Sequence, residues 1–325
     1  MCIKCIFRPM QKEFLMFKSM GTRILVVGAL TLMMTIPMVM AGGIIQDRKN
    51  LSDITRSTIG DEWGGSQTLV GPFLVVPVKE QVTQKKVEKL VDSETGEPIT
   101  DPKTGKQRTR TYSETLDVER EPLFVLPDGF HVSLDTETDE KYRGIFKVQV
   151  YRADLDAAFD FGLEKAEGEL AGAEELLWDD AELRFYLGSN RALRGKAVLS
   201  GPETDFVLEP LSGEDTPGIS ARVGDPRKLT ELNLSLEFNG AEHLSVAPVG
   251  RDSTIEITSD WPHPSFYGAF LPDDSSIGDT GFKATWNIPH LARSLPQVSR
   301  ESSLHRAKTG TAFGVQFFQP NDFYQ

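Results

Sequence analysis

The sequence predicts a mainly β protein: one N-terminal transmembrane helix followed by an antiparallel, β-sandwich-like exported domain, built as one unit or as two β subdomains. Three observations carry that prediction. Ile24 to Ile45 form a run of 22 residues without a charge. Charge is divided sharply between the two sides of this run. Beyond it, short apolar or alternating segments recur between turns rich in Gly, Pro and Asp, the pattern of packed β-sheets.

At about 1.5 Å per residue, the Ile24–Ile45 run makes a helix roughly 33 Å long, enough for a hydrocarbon core of about 30 Å. Pro37, Gly42 and Gly43 would weaken a soluble helix but are tolerated within a membrane. Residues 1–50 hold seven Lys/Arg against two acids, while the whole chain of 325 residues has a formal net charge of −13, so residues 51–325 carry −18. Basic residues before the span place 1–23 in the cytoplasm and the acidic part outside. A cleaved signal peptide, with Val39 to Ala41 as its processing motif, is the competing reading. The long leader and the continuation of the apolar run through Ile45 favour an uncleaved anchor. Either way the body is exported.

The chain then divides into a cytoplasmic basic leader (1–23), the span (24–45), a juxtamembrane helix or stalk (46–65) and a β-rich domain (66–325). In the stalk, Leu51, Ile54 and Ile59 recur at helical spacing. Leu69–Val78 is apolar and punctuated by Pro72 and Pro77, which predicts a strand near a sheet edge. Lys79–Glu121 is polar and contains two similar Asp/Thr/Gly clusters, Asp92 to Gly96 and Asp101 to Gly105, which predict the tip of a long hairpin. A calcium loop is the sharper alternative there, but EF-hand spacing and its terminal Glu are missing.

Leu123–Leu126, Ile145–Tyr151 and Leu155–Phe161 continue the strand pattern. Glu164–Leu177 is rich in Glu and Ala and predicts a helix or an acidic loop. Glu182–Leu187, Phe206–Leu208, Leu232–Phe238, Ile255–Thr258 and Phe313–Phe318 follow as strands. Leu232–Phe238 alternates apolar and polar side chains, as a half-buried antiparallel strand should.

Composition excludes several function classes. A hydrophobic content of 39% excludes a wholly disordered chain, and the acidic balance argues against nonspecific nucleic-acid binding. The two cysteines, Cys2 and Cys5, cannot staple the exported domain. With no His or further Cys beside them they read as reduced thiols in a cytosolic tail rather than a zinc or redox site. No nucleophile-elbow, zincin or Walker-type motif occurs, and His131, His243, His263, His290 and His305 show no ligand spacing. No catalytic, cofactor or metal residue is assigned.

The most distinctive stretch runs from Leu244 to Leu271 and continues through Gly281–Trp286 and His290–Arg293. Its markers are Pro248, Gly250, Ser259, Trp261, Pro262, His263, Pro264, Ser265, Phe266, Gly268, Phe270, Leu271, Pro272, Gly281, Phe282, Ala284 and Trp286. Upstream, Leu69–Pro72 with Pro77, and Arg143–Phe146 with Val150 and Tyr151, fit the same pattern. This sequence resembles the CreD family of inner-membrane, cell-envelope integrity proteins, from the anchor to the last residue. The resemblance implies an N-terminal membrane helix, a large periplasmic domain and a C-terminal group of membrane helices. No further run of 18 apolar residues follows here, so the chain reads as a truncated member or fragment.

Trp261, Pro262, His263, Pro264, Ser265, Phe266 and Gly268 form the candidate motif, structural or partner-binding. Asp260, His263 and Ser265 are the residue types of an acyl-transfer triad, yet sequence neighbours in a strand or turn point apart. Trp261 is expected to be largely buried, with the Pro262–Pro264 turn locking a strand end against Gly281–Trp286. The function implied is a nonenzymatic envelope-integrity and stress-response protein. Its partners would be the phospholipid bilayer, through Ile24–Ile45, and an envelope protein or cell-wall component, with no nucleic acid and no cofactor. A cell-wall hydrolase, or a regulator of one, using the His263 region is the alternative.

Overall fold

The computed structural model describes residues 20–93, 95–144, 146–211 and 216–317. Cys2 and Cys5 lie outside these residues, as do Ile145 and the closing stretch 318–325. The chain divides into two units, Met1–Arg56 and Ser57–Gln325.

Helix α1 (Met20–Glu62) carries Pro37 in its interior. Met20–Leu51 is, among the described residues, the one stretch of helix long and apolar enough to cross a membrane; its most apolar 18-residue window has a mean hydropathy of 2.3 and none of that window is buried within the protein. Its hydroxyls are absorbed locally: Thr31 donates to the Val27 carbonyl at 2.8 Å and Thr35 to the Leu32 carbonyl at 2.7 Å. Such back-bonding lets a polar side chain sit in an apolar helix without an unsatisfied donor.

In the second unit, the end of α1 packs through Ile59 against Val148, Val150 and Ala241, with Trp63 at the margin. Arg143 donates to both carboxylate oxygens of Glu62, at 2.8 and 2.9 Å. Gly64 (φ +114°) then stops the helix, and a Cβ there would lie 2.8 Å from the Ala192 Cβ. Only glycine takes this backbone at this distance from a neighbour.

Among the described residues eighteen strands follow in chain order: β1 (Gln67–Lys89), β2 (Thr109–Val125), β3 (Gly129–Arg143), β4 (Phe146–Phe159), β5 (Glu174–Leu176), β6 (Glu182–Tyr186), β7 (Leu193–Ser200), β8 (Asp205–Phe206), β9 (Glu209–Pro210), β10 (Gly218–Arg222), β11 (Leu232–Ala241), β12 (His243–Val246), β13 (Asp252–Ser259), β14 (Pro264–Gly268), β15 (Asp274–Gly278), β16 (Gly281–Pro289), β17 (Val298–Ser299) and β18 (Phe313–Phe317). One sheet runs β14-β18-β12-β1-β6-β10-β9, with β2 and β5 also on β1 and β17 on β2. The other runs β15-β16-β13-β3-β4-β11-β7-β8. Apolar residues from both sheets merge in one core, for example Phe159 of β4 edge-on to Phe185 of β6 at 5.7 Å. This is the mainly β, sandwich-like architecture that the alternation predicts.

The strand pattern is clearest where one face is wet. In β11, Leu232, Leu234, Leu236 and Phe238 are buried while Asn233, Ser235 and Glu237 are exposed. Residues 146–151 and 155–159 of the two predicted segments merge into the single strand β4. Lys79–Glu121 is the predicted hairpin, its ladder running out to Lys89 opposite Thr109. At its tip, Asp92 accepts from the Thr95 amide and Asp101 from the Lys103 and Thr104 amides, so the two clusters are side-chain-closed turns.

One expectation is corrected and two are refined. Leu69–Val78 is not near an edge: β1 is central, pairing with β12, β2, β5 and β6. Pro72 and Pro77 lie in the register shifts between Val70 and Phe73 and between Val76 and Val78, where the ladder can spare a donor. Of the two alternatives for Glu164–Leu177, helix or acidic loop, the loop holds, with two 3₁₀ turns, Leu163–Lys165 and Glu167–Glu169, and the short β5 within it. Gly168 and Gly172 (φ +61°) interrupt it, and Glu174 is drawn out to Arg300. Nor are the sheets purely antiparallel: β1 runs parallel to β12 and β13 parallel to β3. Each of these pairs joins segments distant in the chain, so no hairpin constrains their direction.

Candidate functional site

The candidate motif begins where β13 ends. Asp260 turns back to β3, accepting from both the amide and the hydroxyl of Thr138 at 2.9 Å. Trp261 donates its amide to Ser259 Oγ at 3.2 Å and its indole N–H to the His263 carbonyl at 2.9 Å. The turn through Pro262 is thus closed by the indole itself. Trp261 is half-buried rather than largely buried, with its ring edge-on to exposed His263 at 6.1 Å. The N–H must reach a carbonyl in the turn, which keeps one side of the ring at the surface.

Pro264 opens β14, whose residues Pro264 to Gly268 pair antiparallel with Phe317 to Phe313. Phe266 of this strand meets Phe282 and Trp286 of β16, edge to face, at 5.7 Å each. Trp286 is fully buried and donates to the Phe270 carbonyl at 3.3 Å. The motif therefore meets the Gly281–Trp286 segment through Phe266 rather than through Trp261. Gly268 (φ +103°) closes the strand where a Cβ would lie 2.4 Å from the Ala312 carbonyl. Asp260 and His263 make no hydrogen bond to each other or to Ser265; the carboxylate is committed to Thr138 and the imidazole faces solvent.

A second polar cluster lies under the same strand. The Tyr267 hydroxyl is 2.6 Å from Ser245 Oγ, and its ring stands edge-on to His243 at 5.5 Å. Tyr151, fully buried, donates to the His243 carbonyl at 2.7 Å, and Ser66 Oγ is 3.4 Å from His243 Nδ1. Burial pushes the His243 imidazole below its ordinary value and both tyrosines above theirs. Buried Gln67 completes the region, donating to the Gly64 carbonyl and accepting from the Ser189 amide. These groups tie β1, β4, β12 and β14 together.

On the surface a cleft of about 400 Å³ is lined by Trp63, Arg152, Asp154, Arg194, Glu237 and Asn239. Asn239 is buried; with its amide oxygen turned to Arg194, it accepts from Nε at 2.9 Å and Nη2 at 3.1 Å. That bidentate hold fixes one guanidinium at the cleft wall. Lys141 sits 4.6 Å from the Trp63 ring centre, and the indole N–H is buried without a hydrogen-bond partner among the described residues. Sequence reading misses the cleft because Arg152, Arg194 and Asn239 belong to three strands that only the β4–β11–β7 pairing assembles. Among the described residues no group of three or more His, Cys, Asp or Glu is placed to hold a metal ion.

The family described as "Inner membrane protein CreD" matches residues 19–325. The chain is also 29% identical over 302 residues to "Inner membrane protein CreD" of Escherichia coli (strain K12), a match covering 90% of this chain and 61% of that protein. It thus spans about 61% of the length of the curated relative it matches. With an apolar N-terminal helix, a β-rich body and a match over nearly all its length, the chain belongs to the CreD family of inner membrane proteins.

Proposed function

We propose that this chain is a nonenzymatic envelope protein, held in the inner membrane by Ile24–Ile45 with its N-terminus in the cytoplasm and its β-rich domain in the periplasm. There the domain binds or scaffolds another envelope component, and through it contributes to envelope integrity under stress. The orientation rests on the basic leader, and the envelope role on the family resemblance.

The observation that carries the binding reading is the make-up of the Trp63 cleft. It offers an indole and two guanidiniums, Arg152 and Arg194, interleaved with two carboxylates, Asp154 and Glu237. These are groups that hold a polar ligand carrying both signs of charge by paired ions and hydrogen bonds.

A photo-crosslinking residue in place of Arg152, in the full chain in its native membrane, tests the reading. One envelope component should crosslink, and the adduct should disappear when Trp63→Ala and Arg194→Ala are added with the melting temperature little changed. Crosslinking that persists in those variants would remove the cleft from the account.

A further inference from the structure

The outer half of the β1–β2 hairpin differs from the rest of the domain. Pairing with β5 ends at Glu80, yet the ladder continues from Gln81 opposite Asp117 to Lys89 opposite Thr109 with no third strand on either side among the described residues. At about 3.3 Å per residue this is a two-stranded arm roughly 25 Å long, with the turns of residues 90–108 beyond it. A lone two-stranded ribbon is marginal in water, so an arm of this length gains from a surface to lie on.

Its chemistry departs from that of the chain. Residues 81–117, the arm and its turns, hold seven Lys/Arg against seven Asp/Glu, a balanced segment in a protein whose net charge is −13. Lys85, Val87 and Lys89 stand opposite Ser113, Thr111 and Thr109, and alternation puts all six on one face, continued by Thr83 and Thr115. That face carries no carboxylate over these four rungs. Asp117, at the base of the arm opposite Gln81, is on this face one rung further in, while on the other face Glu114 is ion-paired to Lys86 and Glu88 stands opposite Arg110.

Exposed apolar groups gather on the same arm. Val87, on the lysine face, is 63% exposed, and Val91 and Ile99 beyond the ladder are 54% and 37% exposed; Tyr112, opposite Lys86, belongs to the other face. Lysines flanking an exposed aliphatic side chain suit a lipid–water interface: ammonium groups reach the phosphates while their stems and the valine enter the acyl boundary. Lysines along a free strand also oppose edge-to-edge pairing with a second copy.

We propose that the Lys85–Val87–Lys89 face of this arm docks on an anionic phospholipid surface. This surface is separate from the Trp63 cleft, and the proposal stands or falls independently of it. The full chain, reconstituted in neutral phosphatidylcholine nanodiscs, is mixed with free fluorescent vesicles. Vesicles of phosphatidylglycerol and phosphatidylcholine in equal parts should be captured, and pure phosphatidylcholine vesicles should not. Capture should fall as salt rises, and Lys85→Glu with Lys89→Glu should weaken it about tenfold or more at an unchanged melting temperature. Equal capture of neutral vesicles, or undiminished capture by the charge-reversed chain, would overturn the proposal. So would arm-to-arm disulfides between copies carrying Val87→Cys in the absence of any vesicle capture, which would assign the arm to self-association.

Discussion

Phe266 and Trp286 meet edge to face with ring centres 5.7 Å apart and planes at 82°, although one belongs to β14 and the other to β16, in different sheets. Phe313 of β18 adds a third ring, 5.1 Å from Trp286. This aromatic seam is how the most distinctive stretch of the sequence holds the two sheets together.

Truncations along the seam should therefore rank by burial. Trp286→Ala should cost about 3–5 kcal/mol, the usual range for deleting a buried aromatic ring. Half-buried Phe266 should cost less and Trp261→Ala less again, while exposed His263→Ala should leave stability within about 0.5 kcal/mol. Denaturant melts of the four variants give the order, and a Trp261→Ala loss as large as that of Trp286→Ala would contradict it.

Gly281 has φ +131°, and a Cβ there would lie 2.0 Å from the Ser259 carbonyl. Gly281→Ala should destabilise the domain by more than about 2 kcal/mol, combining an unfavourable backbone with a clash against main chain that cannot swing away. Gly96→Ala, also at positive φ but with open space around it, serves as the comparison. It should cost clearly less.

Tyr151→Phe removes only the hydroxyl that donates to the His243 carbonyl at 2.7 Å. The carbonyl is then left in a buried setting without that donor, a loss of about 1–3 kcal/mol. Thermal melts of the variant should show it. An unchanged melting temperature would mean that another donor reaches the carbonyl.

Acidification should weaken the domain in two stages. The folded-state value of His243 lies below its ordinary 6.5, so as pH falls past about 6.5 the unfolded chain binds the proton first and stability drops. Glu174, held below its ordinary 4.5 by the Ala171 amide and Arg300, contributes stability above that value and loses it as pH falls through its folded one. Asp225, lowered by the Arg227 fork, behaves alike from 3.8 downward. Melting curves against pH should show both steps, with His243→Gln flattening the first and Glu174→Gln reducing the second.

The topology proposal makes its own prediction. A reporter fused after Gln325 should be active in the periplasm and sediment with membranes. N-terminal sequencing that finds the mature chain beginning near Gly42 would replace the anchor with a cleaved signal peptide.

The local pattern of residues determined much of this protein. A charge-free run of 22 residues is a statement about length, and length alone matches it to a bilayer. Alternation in Leu232–Phe238 and the Asp/Thr/Gly clusters of residues 92–105 report which side a residue faces and where the chain turns, both decided by neighbours in sequence. What pairs with what was decided only by the tertiary structure. Leu69–Val78 reads the same at an edge or in the centre of a sheet, and only its partners, β12 and β6 among them, make it central. The same holds for Arg293, which is buried because Gln297 accepts from it and in turn donates to the Leu126 and Pro127 carbonyls. The Trp63 cleft likewise exists only once three strands bring Arg152, Arg194 and Asn239 to one place. Apolar periodicity encodes a face, whereas a site is made of contacts between segments far apart in the chain, and those are chosen by the packing of the whole core.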